Sequence, residues 1–181
     1  MSHEKGAEDD IFARLHELDL ELLVAVQRRG CRDCCGGRLD RADFSRKVRG
    51  VSESAERYFE TRFALCCSRE GCRRRTLPPS LRFLGRRVFA AVAIVAACVA
   101  EQAHRRWQEA RRIRRWLAWW REDFGGGPRL LELRGRLAVP IDRDALPGSL
   151  LAAVQGPTPA DRLVRLLALV ADVVAPIPHE G

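Results

Sequence analysis

This 181-residue chain is poor in several residue types, and each shortage narrows what it can do. Only 7% of its residues are aromatic, and there is one tyrosine and one methionine. The tyrosine, Tyr58, stands in Arg57-Tyr58-Phe59 with no histidine pair nearby. A tyrosine-based DNA strand transferase is therefore not expected. The four histidines (His3, His16, His104 and His179) are scattered, so no histidine-rich catalytic metal site is expected. There is no P-loop, no G-x-G-x-x-G and no G-x-S-x-G, and the carboxylates form no trio suited to two-metal nuclease chemistry. A protein that is not an enzyme is the expectation. The longest apolar run, Val88–Ala100, has 13 residues. A bilayer span needs about 20, so this run reads as a buried helix and no membrane partner is expected. The opening residues Met1–Asp10 are acidic and polar without an apolar core, so a secretory signal is not expected there.

What the chain does have is cysteine in two clusters and arginine in uneven supply. Thirty of its 32 basic residues are arginine. Alanine, glycine and leucine are also abundant, as in a GC-rich coding sequence, so the placement of the arginines says more than their identity. Residues 1–30 carry a net charge of −3, residues 31–87 carry +8, residues 88–124 carry +3 and residues 125–181 are neutral. Such a localised excess is the footprint of a polyanionic partner.

Six of the seven cysteines are Cys31, Cys34 and Cys35, then Cys66, Cys67 and Cys72. Four thiolates on two short turns can converge on one zinc ion at about 2.3 Å. Cys31-x2-Cys34 and Cys67-x4-Cys72 have suitable spacings, and these four are the candidate Zn2+ ligands. Cys35 can replace Cys34, and Cys66 can replace Cys67. Cys67 is preferred because alternation places it on one strand face with Phe63 and Leu65, opposite Arg62, Ala64 and Cys66. Four cysteines would close the coordination shell, so the metal is expected to be structural. The gap between Cys34 and Cys67 is long for a zinc ribbon and implies an insertion near 48–57. Cys98, among alanine and valine, reads as core. An odd cysteine count without a signal segment favours a reducing, cytoplasmic setting.

Four segments follow from periodicity and breaks. Residues 1–30 hold an amphipathic helix with Ile11, Leu15, Leu18, Leu22 and Val26 as its stripe, widened by Phe12, Leu20 and Leu23 and capped at Gly30. Residues 31–80 form the ribbon, with strand signals over 38–47 and 61–67, closed by Pro78-Pro79-Ser80. Residues 81–124 are read as helices over 81–101 and 108–124. Residues 125–181 open with Gly125-Gly126-Gly127-Pro128. They continue into 130–139, whose helix or strand character stays open, then helical stretches at 146–154 and 161–174. Thr158-Pro159 starts the last helix. The fold class expected is mostly α with a small β zinc-ribbon insert, a helical bundle with a helix-turn-helix.

Arg73, Arg74 and Arg75 with Arg82, Arg86 and Arg87 bracket the second cysteine turn and are candidate phosphate contacts, which Arg41, Arg46, Lys47 and Arg49 would extend. Arg111, Arg112, Arg114 and Arg115 flank Ile113, Trp116, Leu117 and Trp120, as on a recognition helix with one buried face. Trp119 is the aromatic expected to be exposed. Residues 31–89 resemble zinc-ribbon segments of bacterial insertion-sequence transposases and their small companion proteins. The resemblance rests on both cysteine pairs, on Arg73-Arg74-Arg75-Thr76, on Pro78-Pro79-Ser80 and on Arg82-Phe83-Leu84-Gly85-Arg86-Arg87. The phrase Arg112-Ile113-Arg114-Arg115-Trp116 looks like the helix-turn-helix of such proteins. Cys35 replaces the glycine usual after the first pair, and no catalytic domain follows. The resemblance implies binding of duplex DNA at transposon ends, beside a partner transposase or recombinase. The alternatives are an RNA- or single-strand-binding module, with Trp119 stacking on bases, or a protein-interaction adaptor. The N-terminal or C-terminal helix would mediate any oligomer.

Overall fold

The N-terminal helix α1 spans Ser2–Arg29 and ends on two arginines, Arg28 and Arg29, which suit the negative end of its dipole. Gly30 follows with φ 70°, its amide donating to the Gln27 carbonyl at 3.1 Å. Only glycine adopts that left-handed turn without strain. In this computed structural model the described residues are 2–31, 35–84, 89–104, 110–137 and 139–171, and of 2–9, 100–104 and 110–112 only the backbone is described. The helix buries Ile11, Phe12, Leu15 and Leu23, together with Asp19. Leu18, Leu22 and Val26, expected in the stripe, are half-buried instead. The inward face thus runs through the widened part of the stripe, Phe12 and Leu23, with Asp19 paired to the buried Arg82.

Beyond Gly30 come five short strands and a one-turn helix: β1 (Leu39–Arg41), β2 (Phe44–Ser45), α2 (Glu53–Glu56), β3 (Thr61–Arg62), β4 (Leu65–Cys67) and β5 (Arg75–Thr76). An antiparallel three-stranded sheet has the order β1-β4-β5, with Leu39 opposite Cys67 and Leu65 opposite Thr76. A second antiparallel pair joins β2 to β3, with Phe44 opposite Arg62. The insertion expected near 48–57 holds the one-turn helix α2. Each of the two strand signals divides in two. At 42–43 the Asp43 side chain accepts from the Ala64 amide at 3.0 Å in place of a strand partner.

Residues 81–84 are not helical, contrary to the helix expected over 81–101; that helix, α3, runs Ala91–His104. Leu81, Arg82, Phe83 and Leu84 are all buried. Four consecutive buried residues leave no exposed helical face, and the segment instead threads through the core as irregular chain. Phe83 bridges to Ala90, and Arg49 to Phe89. Phe12, Phe59 and Phe83 stack edge to face there, with ring centroids 5.3 and 5.7 Å apart. The Ser80 hydroxyl donates to Asp19.

The chain divides into two compact units, Met1–Ala90 and Ala91–Gly181. In the second, α3 buries Ile94, Val95 and Cys98. Helix α4 (Ala110–Trp119) runs into a π-helical turn, Trp120–Phe124, closed by the Gly125 amide donating to the Trp120 carbonyl at 2.9 Å. Both Trp120 and Phe124 are buried, and Trp119 packs on both rings at 4.9 and 6.0 Å. Trp119 is therefore a half-buried member of an aromatic cluster and not the exposed tryptophan expected. Helix α5 (Pro128–Arg136) settles the stretch left open, with Leu130 and Leu133 inward. Helix α6 (Gly148–Ala153) and helix α7 (Pro159–Val170) complete the unit. The α7 cap is the one expected, Thr158 Oγ1 accepting from the Asp161 amide at 3.1 Å. About half of the chain is helical, with a small antiparallel sheet. Among the described residues no helix is long and apolar enough to cross a membrane.

Candidate metal centre and basic hairpin

The pairing of Leu39 with Cys67 decides where the thiols meet. In an antiparallel pair, the residues entering β1 and those leaving β4 lie at the same end. The turn Cys31–Arg38 and the turn Cys67–Arg74 therefore face each other, and Gln27 of α1 ties them down by donating to the Leu39 carbonyl at 2.9 Å. In the first turn, the Gly36 amide donates to the Cys31 carbonyl at 2.8 Å and the Cys31 amide to the Gly37 carbonyl at 2.9 Å. In the second, the Cys72 amide donates to the Arg69 carbonyl at 3.1 Å, and the Cys67 amide to the Arg74 carbonyl at 2.9 Å.

The sulfurs of Cys31, Cys35, Cys67 and Cys72 all lie within 4.8 Å of one another. Cys31 and Cys72 are 3.9 Å apart, Cys35 and Cys67 3.4 Å. A tetrahedral ion with bonds of about 2.3 Å needs sulfurs about 3.8 Å apart, so the set fits one metal ion. A disulfide needs about 2.05 Å, and all four are free thiols. The walls are apolar: Leu23, Leu39, Phe63 and Leu65 pack with Cys31 and Cys67. This bears out the shared strand face of Phe63, Leu65 and Cys67.

Cys31, Cys67 and Cys72 were expected here, and Cys35, weighed as the replacement for Cys34, completes the described set. Cys34 itself lies outside the described residues. Cys66 points away, its sulfur 3.5 Å from the Arg73 carbonyl. Cys98 is buried in α3, in the other unit.

The Arg69 amide donates to the Cys67 sulfur and favours its thiolate, but burial and the thiols of Cys35, Cys72 and Cys31 outweigh it and push this thiol up to about 12. Burial also pushes the Cys31 thiol up, with Cys72 adding to it. The raised Cys31 and Cys67 thiols hold their protons until a cation supplies the compensating charge.

Sequence reasoning missed Gly37. A Cβ there would lie 2.9 Å from the Cys67 sulfur and 3.2 Å from the Cys35 sulfur. The first turn can pass beneath the thiols only because this residue has no side chain. The signal available was the Gly36-Gly37 pair directly after the cysteines.

Cys72 leads straight into Arg73, Arg74 and Arg75, all exposed, with Arg73 in a left-handed conformation at φ 44° and Arg75 on the edge strand β5. Arg82 does not join them. It is 1% exposed, its Nε 2.8 Å from Asp19, so it is corrected from phosphate contact to core ion pair. The signal for this was Asp19 itself, a carboxylate spaced four residues from both Leu15 and Leu23 on an apolar stripe. Arg41 pairs with Asp43 at 2.9 Å, and Arg46 is half-buried over the Phe83 ring. Arg86 and Arg87 lie outside the described residues. On α4, Arg114 and Arg115 are exposed while Leu117 is buried; of Arg111 and Arg112 only the backbone is described.

No protein-family model, curated protein or solved structure matches this chain.

Proposed function

We propose that this chain is a non-catalytic, zinc-stapled protein that binds duplex DNA through the hairpin carrying Arg73, Arg74 and Arg75. The observation that carries the reading is the convergence of four thiols on two turns, the second leading directly into three exposed arginines. An all-sulfur tetrahedral set selects zinc or iron among common metals. Zinc is the reading here, because a closed shell of four cysteine thiolates is its usual structural site and needs no redox partner. The ion would hold the two turns together and so fix the hairpin in space.

The charge distribution supports a nucleic-acid partner, since the excess lies within 31–87. Helices α3 and α4 are the second half of the proposal, read as a helix-turn-helix. Helix α4 turns Leu117 into the core and sets Arg114 and Arg115 outward, with Arg111 and Arg112 on the same helix. Duplex DNA is favoured over RNA or single strands because Trp119, the residue proposed to stack on bases, packs on Trp120 and Phe124. In this reading, by resemblance to transposase ribbons, the activity lies at transposon ends in the cytoplasm, with a transposase or recombinase as partner.

The test is elemental analysis of reduced, full-length protein together with duplex affinity against salt. One zinc per chain is expected. Log affinity should fall linearly with log salt, by about 0.9 per neutralised phosphate. Replacing Arg73, Arg74 and Arg75 together by alanine should flatten that slope. A metal-free preparation, or an unchanged slope in the triple variant, overturns the reading.

A further inference from the structure

The four converging sulfurs differ in access. Cys31 and Cys67 are buried, at 4% and 0% exposure, while Cys35 and Cys72 are half-buried. Each accessible sulfur has a buried one from the opposite turn beside it. Cys35 lies 3.4 Å from Cys67, and Cys72 lies 3.9 Å from Cys31. Both contacts cross from the first turn to the second, as a metal ion would. A disulfide needs about 2.05 Å, so closing either contact takes a shift of about 1.4–1.9 Å, on the scale of a side-chain rotation.

Contacts that involve no sulfur also cross between the turns. The Ser68 amide donates to the Arg38 carbonyl at 2.9 Å, and its hydroxyl donates to the same oxygen at 3.1 Å. Arg69 Nη1 donates to the Cys35 carbonyl at 3.1 Å. Together with the pairing of Leu39 and Cys67, these bonds keep the turns facing each other without help from a cation. Two further thiols stand apart from the set. Cys66 turns its sulfur to the Arg73 carbonyl at 3.5 Å, and Cys98 is buried in α3 of the second unit.

We propose, on the metal reading above, that the thiol cluster is a redox modification site. A peroxide there exchanges the metal staple for two cross-turn disulfides, Cys35–Cys67 and Cys31–Cys72. A metal-bound cysteine is a thiolate, the nucleophilic form. The accessible thiolate of Cys35 or Cys72 attacks one peroxide oxygen, the O–O bond breaks and hydroxide leaves, giving a sulfenic acid. The buried partner thiolate then attacks that sulfur, expels a second hydroxide and forms the S–S bond. Each pair thus takes two thiolates and one hydrogen peroxide to one disulfide and two hydroxides. The sulfurs lose the two electrons that the peroxide gains, and the neutral disulfides release the divalent cation. Because both bonds join the same two turns, the hairpin carrying Arg73, Arg74 and Arg75 stays anchored after the metal has gone.

The test treats reduced, zinc-loaded, full-length protein with hydrogen peroxide. Zinc is read with a chromophoric chelator, disulfides by peptide mapping in a mass spectrometer, and the turns by hydrogen exchange. Zinc content is measured before oxidant is added, and a protein holding none overturns the metal reading and this proposal together. The expected result is release of one zinc per chain, with both named disulfides mapped. The cysteine turns should keep the exchange protection that chelation of the reduced protein removes. Dithiothreitol with added zinc should restore the loaded form. Cys66→Ser should give the same map, and Cys35→Ser only the Cys31–Cys72 bond. Should Cys35→Ser fail to fold, the map of the parent protein decides alone. Zinc retained under peroxide, a disulfide within one turn, a bond to Cys34 or Cys66, or turns that lose protection on oxidation overturns the proposal and leaves the metal reading standing.

Discussion

At the scale of single residues, the candidate metal site depends as much on Gly37 as on its thiols. Gly37→Ala places a methyl 2.9 Å from the Cys67 sulfur, and either the turn or the sulfur must move. Overpacking of this kind costs about 1–3 kcal/mol, so metal affinity measured against a chromophoric chelator should fall about tenfold. Gly135→Ala, with nothing within 4 Å, is the control and should leave affinity unchanged. The thiols also set a pH dependence of known sign. Below the ordinary thiol value of 9.0, metal must displace protons, so log apparent affinity should rise with pH by up to about four per unit. In the metal-free chain the sign reverses. The Cys67 thiol titrates near 12 in the fold against 9.0 ordinarily, so its protonated form is favoured in the native state. That contribution is complete below 9.0 and lost as pH rises toward 12. Thermal melts with and without chelator over that range should diverge accordingly.

At the scale of elements, α1 is joined to the irregular segment 78–84 by one carboxylate. Asp19 accepts from Ser80 Oγ, from the Leu81 amide at 2.6 Å and from Arg82 Nε at 2.8 Å. Removing one member of a buried ion pair leaves an uncompensated charge, and Asp19→Ala should cost about 3–5 kcal/mol in denaturant unfolding. Combining it with Arg82→Met should recover much of that loss, because a well-packed apolar pair often replaces a buried ion pair without cost. A double variant no more stable than the single one would show that Asp19 acts through its bonds to Ser80 and Leu81 instead. The same interaction explains why helix periodicity failed at Leu81. A segment buried on all sides has no amphipathic pattern, and its conformation follows from its long-range partners.

At the scale of the whole molecule, each unit has its own core. The first centres on Leu15, Leu39, Phe59, Leu65 and Phe83, the second on Ile94, Trp120, Leu133, Leu146 and Leu166. Chelation of the full-length protein should therefore raise hydrogen exchange across the cysteine turns and their strands while α5, α6 and α7 stay protected. Trp120→Ala should act in the opposite place. Truncating a buried tryptophan costs about 3–5 kcal/mol, here in the second unit, with metal stoichiometry unchanged. Loss of protection across both units on chelation would show a single cooperative fold.

Much of this was legible in the sequence. Cysteines on two turns, glycine after Arg29, proline after Thr158 and the alternation through Phe63, Leu65 and Cys67 are local signals, and each acts through backbone geometry or side-chain period. By themselves they determine a small sheet with clustered thiols among helices. Tertiary structure alone decided which thiols meet, because strand register brings Cys35 and Cys67 to the same end of the sheet. It also decided that Asp19 and Arg82 face inward, that Arg62 is buried, and that Trp119 packs on Trp120. Those outcomes depend on residues up to 63 positions apart, as Asp19 and Arg82 are. Burial of a charge is governed by the partner it finds across the fold, and no local pattern encodes that partner.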